Sequence, residues 1–349
     1  MSNKEEDIQL LNVSALQKIS EEIAGTGEKI NPKYPAIEVK GYTKRFRKFL
    51  ATKDVTFTVG HGVIHGFIGP NGSGKTTTIK AMIGAYIANE GSILINGNKA
   101  GTISANKLIG YIPERASFPS YLNTMQYLTN MGELSGLKKK VAKERSAMIL
   151  KALGLEDHAK RKPASFSSGM QKKILLAQSL LNDPKILILD EPAANLDPTA
   201  RKELFDQLIM LRDQGKTIII SSHILSELER LIDEVTFLFY GEVISTGPTK
   251  AFNKHLSSVF IRAQDNEKLI KFLKSKKYEV KVQNRAEVEV PNVTRKIADK
   301  ILKEVLESNI KLISYRSNDL QSVYDNLVKE AKDKQRGNQM VGKKKSIAM

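Results

Sequence analysis

The chain has 349 residues, of which 41% are hydrophobic, and a formal net charge of +17 at pH 7. No apolar run approaches the roughly 18 residues of a membrane span, and the lack of cysteine excludes disulfides, thiolate metal sites and cysteine nucleophiles. The basic residues are scattered, which favours a solvated lysine-rich surface over a surface for nucleic acid or anionic lipid.

Residues 1–36 are predicted to form an N-terminal extension without a hydrophobic signal segment. Apolar residues at helical spacing predict an amphipathic helix there: Ile8, Leu11, Leu16, Ile19 and Ile23. From residue 37 to 251, strand patterns alternate with helical ones, which predicts an α/β domain. Its first strands, at 37–39 and 55–59, suggest an antiparallel flank.

A glycine-rich loop follows the apolar run 63–68 and precedes a helical pattern that opens at Thr77. Residues 69–76 read Gly-Pro-Asn-Gly-Ser-Gly-Lys-Thr and fit the phosphate-binding loop G-x-x-x-x-G-K-[ST]. Glycines let the backbone N–H groups approach phosphate oxygens, and the following helix points its positive end at the anion. In such a loop Lys75 reaches the β- and γ-phosphates, and the Thr76 hydroxyl ligates Mg²⁺.

The stretch at 121–180 has a mainly helical pattern. Within it, small residues at 167–169 precede a helical pattern, which predicts either an N-cap or a second phosphate-binding surface. Four apolar residues in this stretch could either contact a partner protein or form part of the core. They are Tyr121, Met125, Tyr127 and Leu128.

Two apolar strand patterns end in groups that suit nucleotide chemistry. The strand at 186–189 delivers Asp190 to the Mg²⁺ of a bound nucleotide and places Glu191 to orient or deprotonate water. Both acids could instead cap the next element. The strand at 217–221 leads to His223, which can hydrogen-bond a γ-phosphate.

Residues 257–331 are predicted to form a separate unit, and 332–349 a basic tail without ordered structure. The order of patterns in the unit is β-α-β-β-α-β, with strands at 259–261, 279–282, 286–290 and 310–315. This order predicts a small ferredoxin-like α+β fold.

Taken in this order, the motifs resemble those of the ATP-binding cassette (ABC) ATPases. Residues 69–76 resemble Walker A, 166–170 the signature motif, 187–191 Walker B with its catalytic glutamate, and 195–197 the D-loop. The resemblance implies a P-loop NTPase fold with a RecA-like core, an antiparallel β flank and a helical subdomain at about 115–170.

The resemblance also implies roles for individual residues. Phe46 would stack on adenine, Glu191, His223 and Lys75 would be catalytic, and Thr76, Asp190 and Glu114 would hold Mg²⁺. The full set implied to contact ATP is Phe46, Gly69, Pro70, Asn71, Gly72, Ser73, Gly74, Lys75, Thr76, Thr77, Glu114, Ser167, Gly169, Asp190 and Asp197.

Two motifs depart from the family pattern. Glu114 stands where the family's Q-loop has glutamine, and so brings a full negative charge. Phe166 and Ser168 replace the leucine and a glycine of the signature, whereas Ser167 and Gly169 are kept.

The chain also resembles ATPase subunits of ABC-2-type exporters. Three features carry this resemblance: the Gly-Tyr-Ile-Pro-Glu run at 110–114, the signature variant and the C-terminal unit. It implies a homodimer or a heterodimer with a related cassette, each ATP lying between Walker A of one chain and the signature of the other. A separate permease subunit would hold the chain at the cytoplasmic face of the membrane, and no nucleic-acid partner is expected. The alternative is a soluble single-cassette ATPase that acts on a macromolecule, in iron–sulfur assembly or with nucleic acid.

Overall fold

The computed structural model describes residues 27–252, 257–283, 287–317, 320 and 323–333. They form two compact units, the first comprising the described residues through Ile224 with Arg230–Thr246, the second Leu225–Glu229 with the described residues from Gly247 onward. The predicted N-terminal helix and the tail beyond residue 333 lie outside the described residues. The boundaries predicted at 36/37 and 251/257 stay predictions.

The first unit alternates strands and helices along the chain, as predicted. Its strands are β1 (Ile37–Phe46), β2 (Phe49–Val59), β3 (Ile64–Ile68), β4 (Glu90–Ile95), β5 (Asn98–Lys99), β6 (Ile109–Ile112), β7 (Ile186–Leu189), β8 (Thr217–Ser222), β9 (Glu234–Phe239) and β10 (Glu242–Pro248). Its helices are α1 (Lys75–Met82), α2 (Ile103–Leu108), α3 (Thr124–Leu134), α4 (Lys139–Ala152), α5 (Ser168–Leu180) and α6 (Pro198–Asp213).

Two sheets organise this unit. An antiparallel sheet has the order β2-β1-β4-β5, and its first hairpin turns at Arg47 and Lys48. The second sheet has the order β10-β9-β3-β8-β7-β6, in which β9, β3, β8, β7 and β6 run parallel. Strands β3, β7 and β8 are buried along their whole length, because a parallel sheet inside an α/β unit is covered on both faces.

The parallel register determines where the site forms. The carboxyl ends of β3, β7 and β8 lie at one edge of the sheet, with Ile68 opposite Ser222 and Leu189 opposite Ile220. Ligands of open α/β sheets bind outside the carboxyl ends of the strands. The loops that leave this edge carry the phosphate-binding loop, Asp190 with Glu191, and His223.

The predicted helical region contains α3, α4 and the start of α5. Asn123 caps α3 in a reciprocal capping box with Gln126, and the Tyr127 hydroxyl donates to Gln178 Oε1 of α5 at 2.5 Å. Tyr127 and Leu128 are buried, so they belong to the core of this region, whereas Tyr121 is 77% exposed.

The second unit shows the predicted β-α-β-β-α-β order, preceded by two short helices. The elements are α7 (Leu225–Leu228), α8 (Thr249–Phe252), β11 (Ser257–Ala263), α9 (Asn266–Ser275), β12 (Lys281–Gln283), β13 (Glu287–Val293), α10 (Arg295–Glu307) and β14 (Leu312–Ser317). Residues 323–333 are also helical. The antiparallel sheet has the order β12-β13-β11-β14, and its core includes Val259, Ile261, Leu269, Leu273, Ile301 and Val305.

Strand β12 differs from the predicted strand at 279–282. It begins at Lys281, which pairs with Glu289 of β13 and is the first of the described residues here to do so. An edge strand extends only as far as its single neighbour offers backbone groups. In the described residues, no helix is both long and apolar enough to cross a membrane.

Candidate nucleotide-binding site

The loop between β3 and α1 packs so tightly that two of its three glycines leave no room for a side chain. Gly74 has φ of +99°, and a Cβ there would lie 2.8 Å from Thr52 Cγ2 and 3.0 Å from the Ala51 carbonyl oxygen. A Cβ on Gly69 would lie 2.5 Å from both the Leu238 carbonyl oxygen and Ser73 Oγ. The loop delivers the chain to α1, whose first N–H groups lack helical partners and can bind an anion.

Lys75, the first residue of α1, is buried with its ammonium against the loop that precedes it. Its Nζ donates to the carbonyl oxygens of Gly69 at 2.6 Å and Pro70 at 3.3 Å, and lies 3.3 Å from Glu191 Oε1. The positive charge is therefore held between the loop and the acid that follows β7.

Asp190 is held by two hydroxyl groups. Ser221 Oγ donates to Asp190 Oδ1 at 2.8 Å, and Thr76 Oγ1 donates to the same oxygen at 3.3 Å. Burial raises the pKa of Asp190, and these two hydrogen bonds oppose that rise. Ser221 also accepts a hydrogen bond from the Glu191 N–H at 2.8 Å, so it connects both acids to β8.

Glu191 and His223 form a pair beyond the two strand ends. His223 Nδ1 donates to Glu191 Oε2 at 3.0 Å, and the Glu191 backbone has φ of 45°, in the left-handed region. A non-glycine residue in that region is uncommon and is often found at functional sites. The positive φ directs the chain away from β7 immediately after Asp190.

These groups border a cavity of about 280 Å³. Residues lining it are Phe49, Ala51, Asn71, Gly72, Gly74, Lys75, Thr76, Thr77, Glu114, Glu191, Ala194 and His223. The structure thus brings Glu114, Glu191, His223 and six residues of 69–77 to one cavity, with Asp190 hydrogen-bonded to the lining residue Thr76. The predicted contact residues Gly69, Pro70 and Ser73 do not line it.

Phe46 does not line the cavity, and its role stays a prediction. Its ring packs edge-on against Tyr86, with 5.2 Å between centroids, and Lys44 Nζ lies 5.3 Å from its centroid. Phe49, which is 65% exposed, lines the cavity instead. Sequence reasoning missed Phe49, although a short turn that pairs it with Phe46 brings the two close together.

The signature and D-loop residues lie away from the cavity lining. Ser167 caps α5 by accepting from the Met170 N–H at 3.4 Å, and Asp197 caps α6 by accepting from Thr199 and Ala200, both at 3.0 Å. Ser168 Oγ donates to the Asn195 carbonyl oxygen at 3.0 Å. Ser167 and Asp197 are therefore both helix caps, and both are exposed.

Lys172, on α5, is a second residue that sequence reasoning missed. Its side chain is buried, and its Nζ donates to the carbonyl oxygens of Pro113 at 3.0 Å and Glu114 at 2.6 Å. Burial lowers the pKa of Lys172 to about 8, and attraction to the Glu114 and Asp190 carboxylates opposes that shift.

The residues present fit a nucleotide triphosphate and its magnesium ion. The glycine loop leaves a cradle that side chains would fill, and Lys75 offers a positive charge beside it. The Thr76 hydroxyl and the Asp190 carboxylate offer the oxygen ligands that Mg²⁺ prefers. No group of three or more metal-ligating His, Asp or Glu side chains occurs among the described residues, so phosphate oxygens and water would complete the shell.

The chain is similar to proteins of one family. The family model described as "ABC transporter" matches residues 52–194. An ABC transporter ATP-binding protein of Mycoplasma pneumoniae is 38% identical over 303 residues, which cover 85% of this chain and 93% of that protein. The Nod factor export ATP-binding protein I of Rhizobium sp. is 33% identical over 224 residues, covering 63% of this chain and 74% of that protein.

A solved structure supports the same relationship. The ATP-binding subunit of an ABC transporter matches with a TM-score of 0.58 and 32% identity, covering 62% of this chain and 92% of that chain. The alignment of 303 residues with the Mycoplasma protein is longer than the first unit, so that similarity continues into the second unit.

Proposed function

The chain belongs to the ATP-binding proteins of ABC transporters, and on that premise we propose that it hydrolyses ATP in the cavity beside residues 69–77. The observation that carries the proposal is the meeting of Lys75, Glu191 and His223 at one edge of the parallel sheet. The loop, the acid and the histidine follow three different strands. If each had only a local structural role, their side chains would have no reason to meet.

The side chains suit phosphoryl transfer, in which an enzyme mainly positions groups and stabilises charge. Glu191 orients the attacking water and accepts its proton, while the His223 Nδ1–H holds the Glu191 carboxylate. His223 Nε2 would donate to the γ-phosphate in the imidazolium form, in which both ring nitrogens carry a proton. Lys75 exchanges the carbonyl oxygens of Gly69 and Pro70 for phosphate oxygens.

Thr76 and Asp190 would hold Mg²⁺, with Glu114 at the cavity wall as a further oxygen ligand. A magnesium ion held there would supply positive charge against the negative charge that develops on the phosphates. Ser221 keeps Asp190 in place for this task, because it fixes the carboxylate to β8.

A second copy, or a related cassette, would complete the site. Ser167, Gly169 and Asp197 do not line the cavity of their own chain, and Ser167 and Asp197 are exposed. A head-to-tail dimer would present them to the nucleotide of the partner. ATP would then favour the closed dimer because it binds that state more tightly than the open one.

Membership in this family implies a membrane partner, and we assign the chain to the cytoplasmic face of a membrane beside a separate permease. The exposed ring of Tyr121 is the best candidate contact in the region 114–131, because Tyr127 and Leu128 are buried.

The Rhizobium relative is named for Nod factor export, which supports export as the direction of transport. The relatives are transporter proteins, so a soluble ATPase acting on a macromolecule is not favoured.

The test compares Glu191→Gln with Glu144→Gln, a matched change at an exposed position on α4. We expect Glu191→Gln to lower kcat for ATP by at least about 100-fold while ATP still binds, because the amide keeps the shape but cannot accept the proton. Glu144→Gln should leave kcat and ATP binding unchanged. Full steady-state ATPase activity in Glu191→Gln would contradict the assignment.

A further inference from the structure

Lys172 is a buried cation that the hydrolytic mechanism above does not use. Only 6% of its surface is exposed, although Lys173, the next residue, forms an ordinary ion pair with Glu203 at 2.6 Å. Burying an ammonium group is costly unless hydrogen bonds compensate. The compensation here comes from two main-chain carbonyl oxygens, those of Pro113 and Glu114.

These two carbonyl groups belong to the segment that carries Glu114 into the cavity. The Glu114 side chain is 44% exposed, and it forms an ion pair at 3.8 Å with Arg115, which is itself 91% exposed. Such an exposed contact fixes a side chain poorly. The two bonds from Lys172, at 3.0 and 2.6 Å, hold the main chain of the segment far more firmly.

The negative charge around Glu114 favours a cation between residues 113–114 and α5. The carboxylates of Glu114, Asp190 and Glu191 lie near enough to interact, and Lys75 Nζ lies 3.3 Å from Glu191 Oε1. Lys172 lies close enough to Glu114 and Asp190 to be attracted by both. Its ammonium therefore offsets part of the negative charge that a glutamate brings to this position.

We propose that Lys172 is a positioning residue for ATP hydrolysis: it fixes the main chain at Pro113 and Glu114 to α5 and so keeps the Glu114 carboxylate at the cavity. The inference rests on the proposed function and adds a residue to it. Since α5 begins at Ser168, one turn before Lys172, the same bonds join this segment to the helix that the signature motif opens. A lysine that only fills space in the core would give no such link.

A double-variant cycle on the full-length chain tests the proposal. Lys172→Met keeps most of the length of the side chain but removes its charge and its hydrogen-bond donors, whereas Lys172→Arg keeps the charge and the donors. Glu114→Ala removes the carboxylate that is to be positioned. Lys143→Met, at an exposed position on α4, is the matched control. Each variant is assayed for kcat, for affinity of a fluorescent ATP analogue and for melting temperature.

We expect Lys172→Met to lower kcat roughly 10- to 100-fold, the loss typical of a misplaced positioning group, with analogue affinity changed less than about threefold. Lys172→Arg should recover most of the kcat. On the Glu114→Ala background, Lys172→Met should add less than about a twofold loss, because the group it positions is gone. If Lys172→Met does not fold, Lys172→Gln takes its place in the same cycle.

Two results would overturn the inference. One is a kcat for the Lys172 variant within about twofold of native; the other is a full, additive loss on the Glu114→Ala background, which would indicate a structural role. A native chain without ATPase activity would instead overturn the proposed function itself. The two failures are therefore distinguishable.

Discussion

Replacing Ser221 with alanine tests how the two acids are held. The Ser221 side chain is fully buried, donates to Asp190 and accepts from the Glu191 N–H, both at 2.8 Å. Alanine removes both bonds and leaves the N–H unpaired. A hydrogen bond to a charged group contributes about 1.5–3 kcal/mol and a neutral one about 1, so we expect Ser221→Ala to lower the unfolding free energy by roughly 2–4 kcal/mol at pH 7.

The effect should also depend on pH. The folded pKa of Asp190 is already raised by burial, so the folded state binds this proton more tightly than the unfolded state. The stability from this group is therefore present at low pH and falls as pH rises through the folded pKa. Without Ser221 the folded pKa rises further, and the destabilisation should shrink when the pH is lowered to about 4.

The assay is urea unfolding followed by circular dichroism at both pH values, without nucleotide. Ser146→Ala is the matched control, because Ser146 is also fully buried but donates to the Ala142 carbonyl oxygen of its own helix. Such a local bond adds little, so its loss should cost under about 1 kcal/mol at either pH. Equal losses of unfolding free energy in the two variants, independent of pH, would show that Ser221 does not stabilise the charged form of Asp190.

Two further predictions concern the cavity wall. Gly74→Ala should cost at least about 1 kcal/mol more in unfolding free energy than Gly215→Ala, since both have a positive φ but only Gly74 would also place a Cβ against Thr52. Equal losses of unfolding free energy in the two variants, measured by urea unfolding, would show that contact of the new Cβ with Thr52 is unimportant. Phe49→Ala should raise KM for ATP roughly tenfold if its ring stacks on the base, and an unchanged KM would rule that out. Measuring Phe46→Ala beside it decides which aromatic ring meets adenine.

The sequence allowed the main parts of the site to be predicted because each combines an apolar strand with a polar end. The glycine loop after β3, the acids after β7 and the histidine after β8 all have this form. Parallel strands bring their carboxyl ends to one edge, so the convergence of Lys75, Glu191 and His223 followed from the pattern.

Other parts could not be predicted, since they depend on register and packing. Ser221 is an ordinary residue in β8, and its contact with both acids arises from the alignment of β8 with β7. Lys172 and Lys173 look alike in sequence, yet the turn of α5 buries one and leaves the other to pair with Glu203. Phe49 reaches the cavity because the hairpin turn has two residues.

We propose that this chain drives a separate membrane subunit. The most direct measurement is affinity purification of the tagged Glu191→Gln chain from detergent-solubilised membranes, with ATP and Mg²⁺ present and every partner identified. We expect a polytopic membrane protein in near-stoichiometric amount. Recovery of soluble proteins, ribosomes or DNA alone would contradict the transport role and leave only the ATPase assignment.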